Sequence, residues 1–504
     1  MDFLSAARPE LYFRYADDPD RELRTSAPGN AEIAFSFSSA GTLRGELRGQ
    51  GERPLLLERV VLEVRQPGGI SFGKEPPGEG YSVFKHGYQS WSFSSVYQSH
   101  DLDLPTWLPW KRRMDENPES FSGRLSALPS FIQRMLGRRG SFQSDGLVVL
   151  SRQGDRQARL FGVVGPGNQM VRFLVQLGRK GQLIRFAVCW DFNGQFFDHH
   201  SLTSLTPVEL LEKERHRPEE PPATQAVLLE YATRTGRALR GRTASAPLCG
   251  WCSWYYYYTN INEENILANL HRVKERRIPL ELFQIDDGYQ KAVGNWQPND
   301  KFPKGMAFLA RSIKKAGLKP GIWLAPFLAE KDSGLLDSSF ILRDEHGKPV
   351  RALSNPNWSG NTYILDVTHP DYKSWLTSLI EMMVHDWGFE YLKLDFLYAA
   401  SFRGKHYDPR TTAASRLREA LKWIRRTGGR QVQLVGCGAP LFPAAGIVDI
   451  MRIGMDVYHS WEGMPIGRVL RDRNIPQMRN ALINTIQRSF MHRHFWMNDP
   501  DCLI

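Results

Sequence analysis

The sequence predicts two domains of different architecture: an N-terminal antiparallel β-sandwich over residues 1–235 and a C-terminal (β/α)8 barrel of the TIM type over residues 236–504. Up to about residue 235, short alternating runs are separated by turn residues with almost no helical periodicity, which is typical of a sandwich. After residue 245, strand and helix patterns alternate, which indicates a parallel sheet covered by helices. A Gly-x-Gly-x-x-Gly motif is absent, which favours a barrel over a doubly wound sheet.

Strands of the sandwich are predicted in runs such as 31–38, 55–64, 146–151, 159–164, 170–177 and 183–190. A polar stretch at 107–140 interrupts this pattern and predicts a long loop with a short helix. Segment 211–224 begins with charged residues and contains Pro218, Pro221 and Pro222. It is therefore predicted to be a linker or an exposed connection.

Seven apolar runs predict the strands of the barrel: 248–254, 280–286, 321–326, 391–396, 432–437, 447–453 and 494–498. Helical patterns fall between them at 263–276, 306–316, 370–387, 414–426 and 476–490. Asn262 with the two glutamates after it is a suitable helix start, and Gly317 is a suitable stop. Segment 328–362 has no clear periodicity, and we interpret it as a candidate substrate loop, with a poorly ordered surface excursion as the alternative.

Charge and hydropathy argue against two classes of partner. The net charge of +11 would permit contact with nucleic acid, but the basic residues form short clusters outside any nucleic-acid-binding signature, so solvated basic faces are favoured. No run of about 18 apolar residues is present, and the N-terminus lacks the pattern of a signal peptide. We therefore predict neither a nucleic acid nor a membrane as partner.

The five cysteines are few and odd in number, which predicts free thiols in a reducing compartment and hence a cytoplasmic protein. Cys249 and Cys252 have the C-x-x-C spacing, but no second pair exists for a zinc site. The residues on both sides of the motif indicate a strand, which argues against thioredoxin-like chemistry. Aromatic residues make up 12% of the chain and fit either stacking surfaces for sugars or core packing.

Polar side chains gather at the predicted strand ends, where a barrel carries its chemistry. Asp395 and Asp456 each follow a short apolar run, and a buried carboxylate is costly unless it is paired or hydrogen-bonded. Two facing carboxylates are what glycoside cleavage requires. In chain order, the polar or aromatic residues at strand ends are Trp254, Asp286, Asp287, Trp323, Lys393, Asp395, Cys437, Arg452 and Asp456.

The adjacent Asp286 and Asp287 precede Gly288, which permits a sharp turn. The two carboxylates can therefore face one ligand and accept hydrogen bonds from neighbouring hydroxyl groups of a sugar. Trp323 offers a flat face for a pyranose ring. A helix cap or a turn is the alternative interpretation of the aspartate pair.

The C-terminal part resembles the α-galactosidases of glycoside hydrolase family 36. The resemblance lies in segments 283–289 (FQIDDGY), 317–323 (GLKPGIW), 365–370 (LDVTHP), 393–395 (KLD) and 452–457 (RIGMDV), together with Trp296, Asn299 and segment 301–303 (KFP). Segment 87–92 (GYQSWS) is similar to a motif on the β-sandwich domain of the same family. The resemblance thus covers both halves of the chain.

This resemblance implies a retaining mechanism with Asp395 as nucleophile and Asp456 as acid/base, without a metal or organic cofactor. It implies that Asp286 and Asp287 hold hydroxyls 4 and 6 of a galactosyl group and that Trp323 stacks on it. The remaining substrate contacts that it implies are Lys393, Cys437, Arg452, Trp91 from the sandwich and Tyr257 on the leaving-group side. We expect Lys393 to favour the ionised form of Asp395 and burial to keep Asp456 protonated.

The sequence departs from the common family pattern at Leu394, at Leu397 and at segment 436–440, so the choice between galactose and N-acetylgalactosamine stays open. Residues 499–504 lie where the final barrel strands are expected, which predicts a chain truncated before a C-terminal β-domain. The substrate implied is an α-galactoside oligosaccharide such as melibiose or raffinose. A galactosyltransferase of the raffinose-synthase type and a non-catalytic carbohydrate-binding protein are the alternatives. A homo-oligomer is compatible with the resemblance, because tetramers are common in the family.

Overall fold

Antiparallel strands make up the N-terminal part of the molecule, in which alternate residues are buried along strands such as Thr42–Gly49. The computed structural model describes residues 7–18, 23–25, 31–66, 69–70, 80–103, 139–152, 154–242, 248–355, 357–463 and 476–502. The strands of this part are β1 (Arg8–Tyr15), β2 (Arg24–Thr25), β3 (Ala31–Phe37), β4 (Thr42–Gly49), β5 (Leu55–Arg65), β6 (Ser82–Lys85), β7 (Ser95–Tyr97), β8 (Ser141–Asp145), β9 (Leu147–Arg152), β10 (Gln157–Val163), β11 (Met170–Leu177), β12 (Leu183–Phe197), β13 (Leu202–Ser204) and β14 (Val208–Glu214).

These strands form two sheets that pack face to face. One sheet has the order β2-β1-β5-β12-β11-β8, and the other has the order β13-β4-β14-β10-β9-β6-β7 with β3 paired to β4. A single apolar core joins residues of both sheets, for example Phe173 and Phe186 of the first with Val148 and Phe161 of the second. The predicted β-sandwich is therefore confirmed, and its six predicted strands are all present.

Seven parallel strands form the central sheet of the C-terminal part, and each lies beside the strand that precedes it in this sheet. Several are buried along their whole length, which explains their continuous apolar runs. The strands are β15 (Gly250–Cys252), β16 (Leu282–Ile285), β19 (Lys319–Leu324), β23 (Tyr391–Leu394), β24 (Gln433–Gly436), β25 (Ile450–Arg452) and β26 (Met497–Asp499). All seven predicted strands are present, and within the described ranges no eighth strand joins β26 to β15.

Helices separate these strands, as in a TIM-type domain. Asn262 caps one of them through its side chain, which accepts a hydrogen bond from the Asn265 backbone, and Gly317 follows another with a positive φ. Both predicted helix signals are thus confirmed. The helices are α1 (Ala223–Leu239), α2 (Trp254–Tyr257), α3 (Glu263–Glu275), α4 (Gly305–Lys315), α5 (Pro370–Glu381, extended by a π-helical turn at Met382–Asp386), α6 (Ala413–Gly428), α7 (Leu441–Ala444) and α8 (Met478–Gln487).

The structure differs from the sequence predictions in several connections between elements. The exposed connection predicted at 211–224 is confirmed only for residues 215–222, because β14 extends to Glu214 and α1 begins at Ala223 directly after Pro222. The predicted domain boundary after residue 235 lies inside α1, a helix that the strand-like pattern did not indicate. Residues 254–257, expected to continue a strand, instead form α2. The predicted loop at 107–140 lies outside the described residues except for its last two.

Segment 328–362 includes strands of a small antiparallel sheet at its two ends, so it is not irregular throughout. Its strands are β20 (Leu328–Glu330), β21 (Arg351–Asn355) and β22 (Gly360–Ile364), in the order β20-β22-β21. A second small sheet pairs β17 (Gln290–Ala292) with β18 (Asn295–Pro298). Among the described residues, no helix has the length and apolar character needed to cross a membrane.

Candidate active site

Functional side chains meet at the carboxyl ends of the parallel strands. Since neighbouring parallel strands end at the same edge of a sheet, residues that follow each strand converge there. The register of the sheet places Trp323 of β19 beside Lys393 of β23. Asp286, Asp395 and Cys437 each follow the end of a neighbouring strand and are all buried.

Asp286 lies at the buried end of the site and forms an ion pair with Lys393. The Nζ atom of Lys393 lies 2.9 Å from Oδ2 of Asp286, and both side chains are nearly inaccessible to solvent. The same oxygen accepts a hydrogen bond from the Gln284 amide, and Oδ1 accepts one from the backbone N–H of Asp287. Burial by itself would lower the pKa of Lys393, but the negative charges of Asp286 and Asp395 raise it well above its usual range. Lys393 is therefore a fixed cation inside the site.

Asp287 is held by neutral donors instead of a cation. Its Oδ1 accepts a hydrogen bond of 2.6 Å from the Gln290 side chain, and its Oδ2 accepts one of 2.7 Å from the indole N–H of Trp358. Burial raises the pKa of Asp287 to about 6, although these two hydrogen bonds oppose the shift. Trp358 lies between β21 and β22, so the insertion predicted as a candidate substrate loop contributes directly to this end of the site.

Asp395 is buried and accepts two hydrogen bonds. The indole N–H of Trp323 donates to Oδ2 at 3.0 Å, and the backbone N–H of Phe396 donates to Oδ1 at 2.8 Å. Burial raises the pKa of Asp395, while Lys393, Trp323 and Cys437 lower it and the charge of Asp456 raises it further. As expected, the charge of Lys393 favours the ionised form of Asp395, but burial outweighs it, and the Nζ atom of Lys393 contacts Asp286 instead.

Asp456 occupies a more open position than expected. Its side chain is 33% exposed, because β25 ends at Arg452 and Asp456 follows in the loop beyond it. Its Oδ1 accepts a hydrogen bond of 3.1 Å from Arg452, and its Oδ2 accepts one of 3.3 Å from the indole N–H of Trp254. The expectation that Asp456 is buried is therefore wrong. Asp456 still acts electrostatically on Asp395, so the two carboxylates belong to one site.

Cys437 lies between these groups as a neutral thiol. Burial raises its pKa well above the usual range, and the charge of Asp395 adds to the shift. A hydrogen bond from this thiol lowers the pKa of Asp395. Cys437 is therefore positioned as a weak donor beside the carboxylate of Asp395.

Trp91 reaches this region from the sandwich. Its ring packs edge-on against Phe396 at 5.3 Å and against Tyr398 at 6.1 Å. Its indole nitrogen is buried and has no hydrogen-bond partner among the described residues. The loop that carries Trp91 is fixed by Arg488, whose guanidinium donates to the carbonyls of Gln89, Ser90 and Ser92.

The side chain of Tyr257 contacts α3 and β15. Its hydroxyl accepts a hydrogen bond of 2.7 Å from Asn269 on α3, and its ring lies near Trp251. Two other aromatic residues of this segment contact carboxylates: Trp254 donates to Asp456 and Tyr255 donates to Asp501. The turn into α2 after β15 changes which side chains point to the rim, since a helix and a strand orient successive residues differently.

Three further residues of the site were not selected from the sequence. Gln284 is two positions before Asp286 in the strand direction, so the alternation of side chains could have identified it. Asp501 follows the end of β26, which is the same signal that identified the other carboxylates. Trp358 offered no such signal, because only the pairing of β20, β21 and β22 brings it to Asp287.

Comparisons with known proteins show similarity to glycoside hydrolases. Residues 247–466 match the family model described as the glycosyl hydrolases family 31 TIM-barrel domain. An α-xylosidase of Emericella nidulans is 26% identical over 180 residues, which is 34% of this chain and 22% of that protein. The α-galactosidase 1 of Pediococcus pentosaceus is 26% identical over 153 residues, 28% of this chain and 20% of its own length. These matches thus span only about a fifth of the curated relatives.

Solved structures extend the likeness to nearly the whole chain. The α-galactosidase of Thermus thermophilus, solved with p-nitrophenyl α-D-galactopyranoside, is 29% identical with a TM-score of 0.67 and covers 94% of this chain and 84% of its own. A family 36 α-galactosidase of Geobacillus stearothermophilus, solved with 1-deoxygalactonojirimycin, shares the fold at 13% identity, with a TM-score of 0.57 over 96% of this chain and 64% of its own. The family model that matches is therefore that of family 31, whereas family 36 proteins are found among the structural neighbours. Residues 247–466 are similar to the TIM-barrel domains of glycosyl hydrolases.

Proposed function

We propose that the protein is a retaining, exo-acting α-galactosidase that removes terminal α-linked galactose from oligosaccharides such as melibiose or raffinose. The observation that carries the proposal is the pair of carboxylates in different surroundings, Asp395 buried at a strand end and Asp456 on the exposed rim. A buried carboxylate suits attack on the sugar, and a carboxylate at the rim suits exchange of a proton with a leaving group and then with water.

In the proposed first step, an Asp395 oxygen forms a bond to the anomeric carbon while the bond from that carbon to the glycosidic oxygen breaks. The proton on Asp456 passes to the departing oxygen. In the second step, Asp456 takes a proton from water, and the water oxygen displaces Asp395 from the anomeric carbon. The indole N–H of Trp323 orients Asp395 for both steps through its hydrogen bond to Oδ2.

The carboxylates at the buried end suit recognition of a galactosyl group. Asp286 and Asp287 accept hydrogen bonds, and each retains lone pairs besides those used by its protein donors. We propose that they hold hydroxyls 4 and 6 of the sugar, with Lys393 and Arg452 as donors to other hydroxyls and Cys437 beside them. Trp323 and Trp91 supply apolar surface around the ring, and Tyr257 stays a proposed contact on the leaving-group side.

An α-galactoside is favoured over an α-xyloside for two reasons. The Thermus thermophilus α-galactosidase matches nearly all of this chain, whereas the α-xylosidase of Emericella nidulans matches a third of it. Xylose also lacks the hydroxymethyl group of galactose, so one of the hydroxyls assigned to Asp286 and Asp287 would be absent. The same reasoning makes 4-nitrophenyl α-xyloside the most informative alternative substrate.

The proposal is tested by the release of 4-nitrophenol from its α-galactoside, with the β-galactoside, α-glucoside, α-xyloside and α-N-acetylgalactosaminide as alternatives. We expect turnover of the α-galactoside, and a loss of at least about 10³-fold in Asp395→Ala because the covalent route disappears. Asp337→Ala, an exposed aspartate of the insertion, is the matched control and should retain full activity.

Added azide should restore turnover of the activated substrate by Asp395→Ala, because the anion can enter the space left by the carboxylate. Preferred release from the α-xyloside would replace the galactosidase assignment. Incubation of raffinose with sucrose should yield free galactose, and transfer of galactose to sucrose would instead indicate a galactosyltransferase.

A further inference from the structure

Asp501 joins three elements beneath Asp456. Its Oδ2 lies 2.9 Å from Nη2 of Arg452 and accepts a hydrogen bond of 2.9 Å from the backbone N–H of Val457, the residue after Asp456. The hydroxyl of Tyr255 also donates to this oxygen. The side chain of Asp501 is 5% exposed, so these contacts are made away from solvent.

Both donors to Asp456 are connected to Asp501. Arg452 uses the same nitrogen, Nη2, for Asp456 at 3.1 Å and for Asp501 at 2.9 Å. Trp254, the other donor to Asp456, directly precedes Tyr255, which is bound to Asp501. A substitution of Asp501 would therefore affect the positions of both hydrogen-bond donors to Asp456.

Two carboxylates share one guanidinium in this arrangement. Asp501 is the more buried of the two and lies closer to Nη2, so it takes the larger share of the positive charge of Arg452. Without Asp501, that charge would act on Asp456 alone and would favour its ionised form. An acid/base residue must instead hold a proton when the substrate arrives.

We propose that Asp501 is a positioning residue for Asp456: it fixes Arg452 and the Trp254–Tyr255 segment and neutralises the guanidinium, so that Asp456 can carry the proton for the leaving group. This inference rests on the proposed function and adds a residue that the reaction scheme above does not use. The backbone at Asp501 has a φ of 83°, and a non-glycine residue keeps such a conformation where its surroundings enforce it.

The titratable and charged groups that act on Asp501 come from several elements: Arg452 and Asp456 from β25 and the loop after it, Tyr255 from α2, and Asp499 and Cys502 from its own strand end. Burial raises the pKa of Asp501, and Arg452 opposes the shift. The positive charge of Arg452 therefore favours the ionised form of Asp501, and this is the form that can neutralise the guanidinium.

The test compares two α-galactosides that differ in their need for an acid. The departing sugar oxygen of melibiose requires a proton, whereas 4-nitrophenolate leaves largely without one. In Asp501→Asn, we expect kcat/KM at pH 7 to fall at least about tenfold more for melibiose than for 4-nitrophenyl α-galactoside. We also expect the basic limb of the melibiose profile to move about one pH unit lower, since a lost neighbouring charge commonly shifts titration by this amount.

Tyr255→Phe removes one donor to Asp501 and leaves its charge, so it should give the same selectivity between substrates to a smaller extent. This variant decides the question if Asp501→Asn does not fold. Equal losses on both substrates with an unmoved basic limb would mean that Asp501 has only a structural role and would overturn the inference. A wild-type protein inactive on both substrates would instead refute the proposed function itself, and this inference with it.

Discussion

Two buried ion pairs, one in each half of the molecule, differ in how completely their charges are satisfied. In the sandwich, Arg172 on β11 binds Asp191 on β12 through two parallel hydrogen bonds of 2.6 and 2.5 Å. Both side chains are fully buried. In this geometry the guanidinium binds both carboxylate oxygens, so the charges of the two groups satisfy each other. We therefore interpret the pair as a structural link between neighbouring strands.

The pair in the parallel sheet is single and lies beside a site. Nζ of Lys393 contacts one oxygen of Asp286 at 2.9 Å, although an ammonium group has three donors. A point charge with remaining donors can bind a ligand, whereas a bidentate pair is already satisfied. The difference between the two pairs leads us to expect that Lys393, whose capacity for hydrogen bonds is only partly used at a strand end, can also bind a ligand.

The largest effect that we expect comes from removing the ion pair of the sandwich, which should lower the stability of that domain. Arg172→Met removes the two parallel hydrogen bonds of the guanidinium to the buried Asp191, which should cost about 3–5 kcal/mol in the free energy of unfolding. Urea denaturation measures the change, and kcat/KM of the folded variant should equal that of the wild type. The double variant Arg172→Met/Asp191→Leu should recover most of the lost stability, because an apolar pair often replaces a buried ion pair without loss. A double variant as unstable as the single one would contradict this account.

Breaking the second pair should affect activity more than stability. Lys393→Met removes the cation but leaves Asp286 with the Gln284 amide and the Asp287 backbone as donors. We expect kcat/KM for 4-nitrophenyl α-galactoside to fall about 10²-fold, as for loss of a donor aligned with a reacting group.

Lys319→Met is the matched control for Lys393→Met. Lys319 starts β19 at the opposite end of the sheet and donates to Gln433, so activity should change little. Equal losses in the two lysine variants would mean that the Lys393 pair acts only through the fold.

The positions of the carboxylates could be predicted because they depend on local pattern and one rule of topology. Asp286, Asp395 and Asp456 all follow apolar runs, and parallel strands bring such ends together without any knowledge of side-chain packing. Lys393 and Asp395 are two positions apart, which indicated their common environment. The partner of Lys393 was not predictable, because it depends on the register between β16, β19 and β23.

The residues that the sequence did not reveal depend on contacts between distant segments. Trp358 reaches Asp287 because β22 pairs with both β20 and β21, and no local periodicity encodes that pairing. Trp254, rather than Tyr257, contacts Asp456 because β15 ends at Cys252 and a short helix follows. Helix α1 was missed because the prolines before it suggested an irregular connection, although Pro222 directly precedes its first turn.

The smallest expected effect concerns Asp287, a carboxylate that forms no ion pair within the described residues. Asp287 is bound by Gln290 and Trp358, and burial raises its pKa to about 6. A sugar hydroxyl donates to the ionised form, so protonation below that pH must weaken binding of galactose, by about tenfold for each pH unit.

Calorimetric titration with galactose between pH 5 and pH 8 measures this dependence. The affinity of the wild type should be constant above about pH 6.5 and fall below about pH 6, because the bound state favours the ionised carboxylate. Asp287→Asn should bind more weakly, with an affinity that no longer falls at low pH. Asp395→Asn should keep the dependence, which separates the titration of Asp287 from that of Asp395. If the pH dependence is still present in Asp287→Asn, the titration belongs to another group. Asp287 would then not be the acceptor for the sugar hydroxyl, and Asp286, which is paired with Lys393, would hold the sugar.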